Sequence, residues 1–188
     1  HLSVHSFPTR RSSDLGVAQP DEYARYVDIQ TPDLDGATAV GRRQEPNLER
    51  IAQLEPDLIV GATFRHNAIV DQLSQIAPTL LLRFYPPETP DRLAHVSDLT
   101  RTLARAAGRS EEAEAQIQHL KSTLGAQRQR LADADLSGER VFVTSVLPGA
   151  QRYRLFTRNS MAAQILERLG LRYAVDRADT LYGFDTVG

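Results

Sequence analysis

Residues 40–61 read VGRRQEPNLERIAQLEPDLIVG, and this stretch decides the fold class. Pro46 suits the first turn of a helix, where its missing N–H costs nothing. Leu48, Ile51, Ala52 and Leu54 then supply a short amphipathic helix that Pro56 stops. Residues 57–61 (DLIVG) form a brief apolar run directly after that breaker, which predicts a buried parallel strand.

Toward the C-terminus the alternation repeats. Ile69, Val70, Leu73 and Ile76 recur at helical spacing over 67–76, Pro78 ends that helix, and residues 79–82 (TLLL) predict a second buried strand. Helix, strand, helix, strand at this pitch is a βα-repeat with right-handed crossovers. The pattern then changes. Residues 89–91 (TPD) open a helix with Leu93, Val96, Leu99, Leu103 and Ala106 as its stripe, and Gly108 closes it. Residues 110–112 (SEE) open another with acids in its first turn, and Ile117, Leu120, Leu124 and Leu131 carry the stripe to about Asp133. Beyond residues 136–138 (LSG), strands are predicted over 141–145 (VFVTS), 153–157 and from 172 to 175, with a helix over 160–169 capped by Gly170.

Toward the N-terminus, residues 16–39 are loop-like, with Pro20, Pro32 and Gly36, and with Tyr23 and Tyr26 three apart. Residues 1–15 (HLSVHSFPTRRSSDL) show neither helical nor strand periodicity, and no apolar segment follows Arg10 and Arg11 to make a signal peptide. The stretch 5–15 resembles an in-frame translation of a sequencing-library adapter, a non-native leader; a natural basic tail is the alternative. Both place it outside the fold, together with His1 and His5.

Composition narrows the function classes. The 188 residues carry 22 basic and 24 acidic side chains, a net charge of −2, which argues against a general nucleic-acid binder. No window approaches the ~18 apolar residues that span a bilayer. With no cysteine, disulfides, thiolate metal sites and cysteine nucleophiles are excluded. All basic residues but Lys121 are arginine, a side chain whose planar fork suits carboxylate-like ligands. No phosphate-binding glycine loop, GxSxG or HExxH occurs, and His66, His95 and His119 are too scattered for a three-histidine metal site.

The 40–61 block resembles the N-lobe signature of the iron–siderophore substrate-binding proteins of ABC importers. Arg65-His66, residues 76–79 (IAPT), 155–160 (LFTRNS) and 181–185 (LYGFD) are similar to other segments of that family. The resemblance covers roughly 16–188. It implies an α/β fold of two βα lobes joined by a long α-helix, a helical-backbone periplasmic-binding-protein architecture. On this sequence that gives an N-terminal lobe over 16–88 lacking its first strand, a helical segment over 89–136, and a truncated second lobe from 137 to 188. It also implies a monomer, not an enzyme, that captures a ferric siderophore in an interlobe cleft and docks on a permease dimer. The location would be periplasmic or otherwise extracytoplasmic, with a lipid anchor possible in principle. No cofactor is implied, since iron arrives already chelated. A cobalamin or haem binder of the same superfamily is the alternative ligand class, and a small α/β nucleotide-binding enzyme the alternative from another class.

Several residues are candidates through the same resemblance. Arg43 matches a cleft arginine that contacts iron-ligating oxygens; its alternative is a surface arginine pairing with Glu45 or Glu49. Guanidinium donors suit such oxygens, which keep partial negative charge on ferric iron. Arg65 follows the DLIVG strand, where a parallel sheet presents its binding loops, and suggests a citrate-type or catecholate complex. His66 is a candidate ligand or iron contact, or else a solvated loop histidine. Tyr182 matches an aromatic that packs on the siderophore, or edges a core. Arg154 alternates with Tyr153 and Leu155 and so can face a cleft, a position Arg152 shares. Glu49 matches a glutamate that docks on the permease, and is equally an ordinary first-turn acid.

Overall fold

The computed structural model describes residues 15–20, 34, 36–86, 89–146 and 152–187. Most of the leader, Tyr23, Tyr26 and Pro32 lie outside the described residues. The chain divides into two compact units at Arg83/Phe84.

In the first unit, β1 (Gly16–Val17) pairs in parallel with β2 (Thr38–Ala39). The sequence reads this stretch as loop, because two-residue strands are too short to show a period of two. Next come α1 (Leu48–Gln53), β3 (Ile59–Ala62), α2 (Thr63–His66), a 3₁₀ turn (Asn67–Ile69), α3 (Val70–Ile76) and β4 (Thr79–Leu82). The predicted parallel pairing is present, in register from Ile59 opposite Thr79 to Ala62 opposite Leu82. The expected burial is incomplete, however: Val60 is 47% exposed, although Ala62 and Leu82 farther along the same face are buried.

Pro46 is not in the first turn of α1. Asn47 caps that helix, its side-chain oxygen accepting the Arg50 N–H at 2.9 Å. Pro46 stands one residue earlier, in a bridge with Gly41. Asparagine can supply the acceptor that an open helix start needs and proline cannot. Val40, Ile51 and Leu73 form the core, with Leu48, Leu54, Ile59, Ile69 and Ile76 packed around it.

The second unit begins with α4 (Arg92–Ala106) and α5 (Ser110–Asp133). Gly108, at φ +67°, reverses the chain between them, and the Arg109 N–H reaches back to the Ala104 carbonyl at 2.7 Å. The two helices pack antiparallel: Arg101 pairs with Glu114 across the turn, and Leu93 shares a hollow with Leu124. The hairpin buries small residues, Ala104 and Ala113, beside Ile117. Val96 and Leu103, which the apolar spacing places on the inner stripe, are 40% and 36% exposed.

Then follow β5 (Arg140–Val141), β6 (Thr144–Val146), β7 (Tyr153–Phe156), α6 (Met161–Arg168), β8 (Arg172–Tyr173) and β9 (Phe184–Val187). The expected strand 141–145 is split between two partners: β5 pairs in parallel with β8, whereas β6 joins an antiparallel sheet ordered β6–β7–β9. Ala163, Tyr173 and Val175 form the core here, with Val143, Leu155 and Leu166 against them. Burial pushes the Tyr173 phenol up in pKa, opposed by the Val143 N–H that donates to its oxygen. The hydroxyl in turn donates to the Phe156 carbonyl at 2.9 Å.

Candidate functional site

In the first unit the loop after β2 carries Arg43. Gly41 makes this loop possible: it sits at φ +93°, and a Cβ there would lie 2.9 Å from both Asn47 N and Glu45 O. Arg43 is half-buried, and its main-chain N–H and its Nε both donate to Gln19 Oε1, at 3.3 and 3.1 Å. Gln19 itself lies at φ +55° and donates its N–H to the Gly41 carbonyl at 3.1 Å. The sequence reading missed Gln19. Nothing local marks it, since its partner is 24 residues away.

His66 behaves differently from its reading as a ligand or iron contact. Its Nδ1 accepts the Ala62 N–H at 3.0 Å, and its Nε2 lies 2.8 Å from the Arg43 carbonyl. An acceptor at Nδ1 leaves the proton on Nε2, so Nε2 donates to Arg43. Both nitrogens are therefore occupied within the unit, and the ring is a bracket tying the Arg43 loop to the end of β3. The ring lies so close to the strand that a Cβ on Gly61 would come within 2.7 Å of Nδ1.

Arg65, one residue earlier in α2, is exposed, with its guanidinium carbon 4.3 Å from the centre of the Phe64 ring. The first unit thus brings Arg43 and His66 into contact through the chain and leaves Arg65 at the surface beside an aromatic. Glu49 is exposed in the first turn of α1.

In the second unit Tyr182 is half exposed and belongs to an aromatic row. Its ring meets Tyr85 edge-on at 5.3 Å and stacks with Phe184 at 6.2 Å. Phe184 in turn meets Phe156 edge-on at 6.2 Å. Arg154 is exposed, and its guanidinium carbon lies 4.8 Å from the centre of the Phe184 ring. In the register of β7 and β9, Arg154 faces Thr186 and Phe156 faces Phe184. These four residues share one face of the sheet, because directly opposed residues of an antiparallel pair point the same way. Arg152, outside the strand, is exposed. Arg154 and Tyr182 are thereby joined through Phe184.

The turn that carries Tyr182 is held from several sides. Gly183, at φ +75°, packs so closely that a Cβ would lie 2.8 Å from Ser160 Cα. Asn159 Nδ2 donates to the Thr180 carbonyl at 2.7 Å, and Thr180 Oγ1 donates to the Phe184 carbonyl at 2.9 Å. The buried Arg92 donates from Nη2 to the Leu181 carbonyl at 2.9 Å and from Nε to the Asn159 carbonyl. The sequence reading passed over Arg92 and Tyr85. A signal for Arg92 exists: a cation directly after a capping aspartate stands where the helix dipole disfavours it.

A cavity of about 290 Å³ lies among α4, α5 and α6, lined by Leu93, Ile117, Leu120, Leu124, Lys121 and Arg168 among others. None of the candidate binding or docking residues named from the sequence lines it. Among the described residues no three His, Asp or Glu side chains cluster as a metal would require, and no helix is long and apolar enough to cross a membrane.

A family model for periplasmic binding proteins matches residues 15–183. YhfQ of Bacillus subtilis (strain 168), which carries the name of an ABC transporter substrate-binding lipoprotein, is 32% identical over 177 residues, 92% of this chain and 52% of that protein. The Fe(3+)-citrate-binding protein YfmC of the same organism is 32% identical over 145 residues, 77% of this chain and 43% of its own. Among solved structures, the siderophore-binding protein FhuD of Vibrio cholerae with Fe3+-Desferal bound superposes with a TM-score of 0.79 at 25% identity. That match covers 92% of this chain and 64% of FhuD. The chain spans about half the length of the curated relatives it matches. With a βα-repeat in one unit, a helical hairpin with one parallel and one antiparallel sheet in the other, and a family match over nearly all of the described residues, the chain belongs to the periplasmic binding protein family.

Proposed function

We propose that the chain is part of the solute-binding protein of an ABC importer, which captures a ferric siderophore outside the cytoplasmic membrane and delivers it to the permease. The observation that carries this reading is the likeness to Desferal-bound FhuD over 92% of the chain. Similarity to YfmC, named for Fe(3+)-citrate, supports the same ligand class. In this reading the protein breaks no bond, and iron is cargo held by its chelator. Arg43, anchored by Gln19, and Arg65 supply donors to the chelate's anionic oxygens; Tyr182 and Arg154 supply an aromatic and a cationic contact. Glu49, exposed on α1, docks on the permease, and the protein acts as a monomer.

Titration of tyrosine fluorescence tests this, since the chain has no tryptophan. Ferric Desferal or ferric citrate should quench it saturably, while uncomplexed ferric iron should not. Arg43→Ala should weaken the binding by roughly 1–3 kcal/mol, as for a charged hydrogen bond left unmade. An equal response to free iron, or none to any chelate, would sink the reading.

A further inference from the structure

Arg92 occupies a costly place. It is only 8% exposed, and no carboxylate pairs with it among the described residues. It also stands in the first turn of α4, where the helix dipole disfavours positive charge. A buried cation without a counter-ion carries a large desolvation cost. Its neighbour Asp91 is committed elsewhere, capping the helix through Ala94 and pairing with Arg168 at 2.6 Å.

The structural duties at this helix start are already met without the guanidinium. Asp91 provides the cap. Gln164 docks α4 on α6 by accepting the Arg92 main-chain N–H and donating to the Pro90 carbonyl, both at 2.8 Å. The guanidinium has a separate set of partners. It donates to the carbonyls of Asn159 and Leu181, and its central carbon lies 6.0 Å from the centre of the Tyr85 ring. Tyr85 and Tyr182 meet edge-on. One side chain therefore lies beside the ring on one side of that pair and bonds the turn that carries the ring on the other.

We infer that Arg92 is a positioning residue: its guanidinium fork fixes the Leu181 carbonyl and the Tyr85 ring together, and so sets the angle at which Tyr182 is presented. Methionine preserves much of the length of the arginine stem but offers no donors, and lysine offers charge without the fork. In its ligand consequence the inference rests on the proposed function; in its structural consequence it does not.

The test is aromatic-ring NMR of the whole chain, comparing Arg92→Met and Arg92→Lys with the parent. Tyr173, 2% exposed in the core of the same unit, serves as the internal control. Signals of Tyr85 and Tyr182 should move toward unstructured values in Arg92→Met, and part of the way in Arg92→Lys, while Tyr173 stays in place. Should Arg92→Met fail to fold, the Arg92→Lys spectrum decides alone. Unmoved Tyr182 signals, or Tyr173 shifting in step with them, would overturn the inference. A parallel titration with ferric Desferal should show binding weakened about tenfold, the scale expected when a preorganised contact becomes mobile. Displaced rings with unchanged Desferal binding would leave Arg92 as the positioning residue and remove Tyr182 from the proposed ligand site.

Discussion

In the first unit the loop that carries Arg43 hangs from an imidazole; in the second, the turn that carries Tyr182 hangs from a guanidinium. The imidazole bracket uses one acceptor and one donor, and needs a bare Nδ1 to receive the Ala62 N–H. The guanidinium bracket uses donors alone, both aimed at carbonyls. Arginine has no acceptor to offer, so only the first bracket can receive an N–H as well as give one. Each bracketed region contains a closely packed glycine, but the two glycines differ in what they press upon. Gly61 faces side-chain atoms, His66 Nδ1 and Leu81 Cδ2, whereas Gly183 faces the Ser160 backbone.

That difference predicts unequal costs. Gly183→Val meets a backbone that cannot yield and adds a left-handed φ that branched residues avoid. It should destabilise the second unit by about 3 kcal/mol in chemical denaturation. Retention of parent stability would mean that the turn moves freely and that the contrast between the units is false.

Gly61→Ala meets atoms that can swing aside, so its cost should be smaller, about 1 kcal/mol. Its main effect is local. The His66 ring is displaced, and the Ala62 amide, measured by hydrogen exchange, should lose protection. An Ala62 amide as protected as in the parent would show that the bracket survives, and would erase the distinction between yielding and rigid seats.

The smallest effect belongs to Asp91, beside the second bracket. The Ala94 N–H that it caps, followed by Arg168, holds its carboxyl below the ordinary carboxylate range. A depressed pKa means that the folded state favours the ionised form. The contribution is therefore present above the ordinary carboxylate value and is lost as pH falls through the lowered one. Asp91→Asn should flatten the acid limb of the stability profile by a small loss at neutrality, where asparagine still caps the helix but no longer pairs with Arg168. An acid limb identical in the two proteins would exclude Asp91 from it.

The sequence made the first unit far more readable than the second. Residues 48–82 are punctuated by Pro56 and Pro78, and their apolar runs are short and bounded, so order and parallel pairing follow from local pattern. In the second unit, Thr144–Val146 and Arg140–Val141 look like one strand, because nothing local says that their partners lie in different sheets. The segment Phe184–Val187 offers Phe184 and Val187 around two polar residues, too weak a pattern to announce a strand. The proposed site rests on Arg43, Arg65, Arg154 and Tyr182, whose residue types and motif positions were legible. Their supports were not: Gln19 and Arg92 act over 24 and 89 positions of sequence, respectively. His66 stood out because it is a histidine after a strand, but only its two partners reveal that it holds a loop.

Gln19 joins two opposing demands in one residue. A left-handed backbone costs a residue with a side chain on the order of 1–2 kcal/mol, yet here that twist accompanies a carboxamide oxygen shared by two Arg43 donors. Glycine at this position would relax the chain and silence the anchor. Robustness and grip are thus set against each other at residue 19, so a screen for thermal tolerance alone would be drawn toward a variant with a slack Arg43.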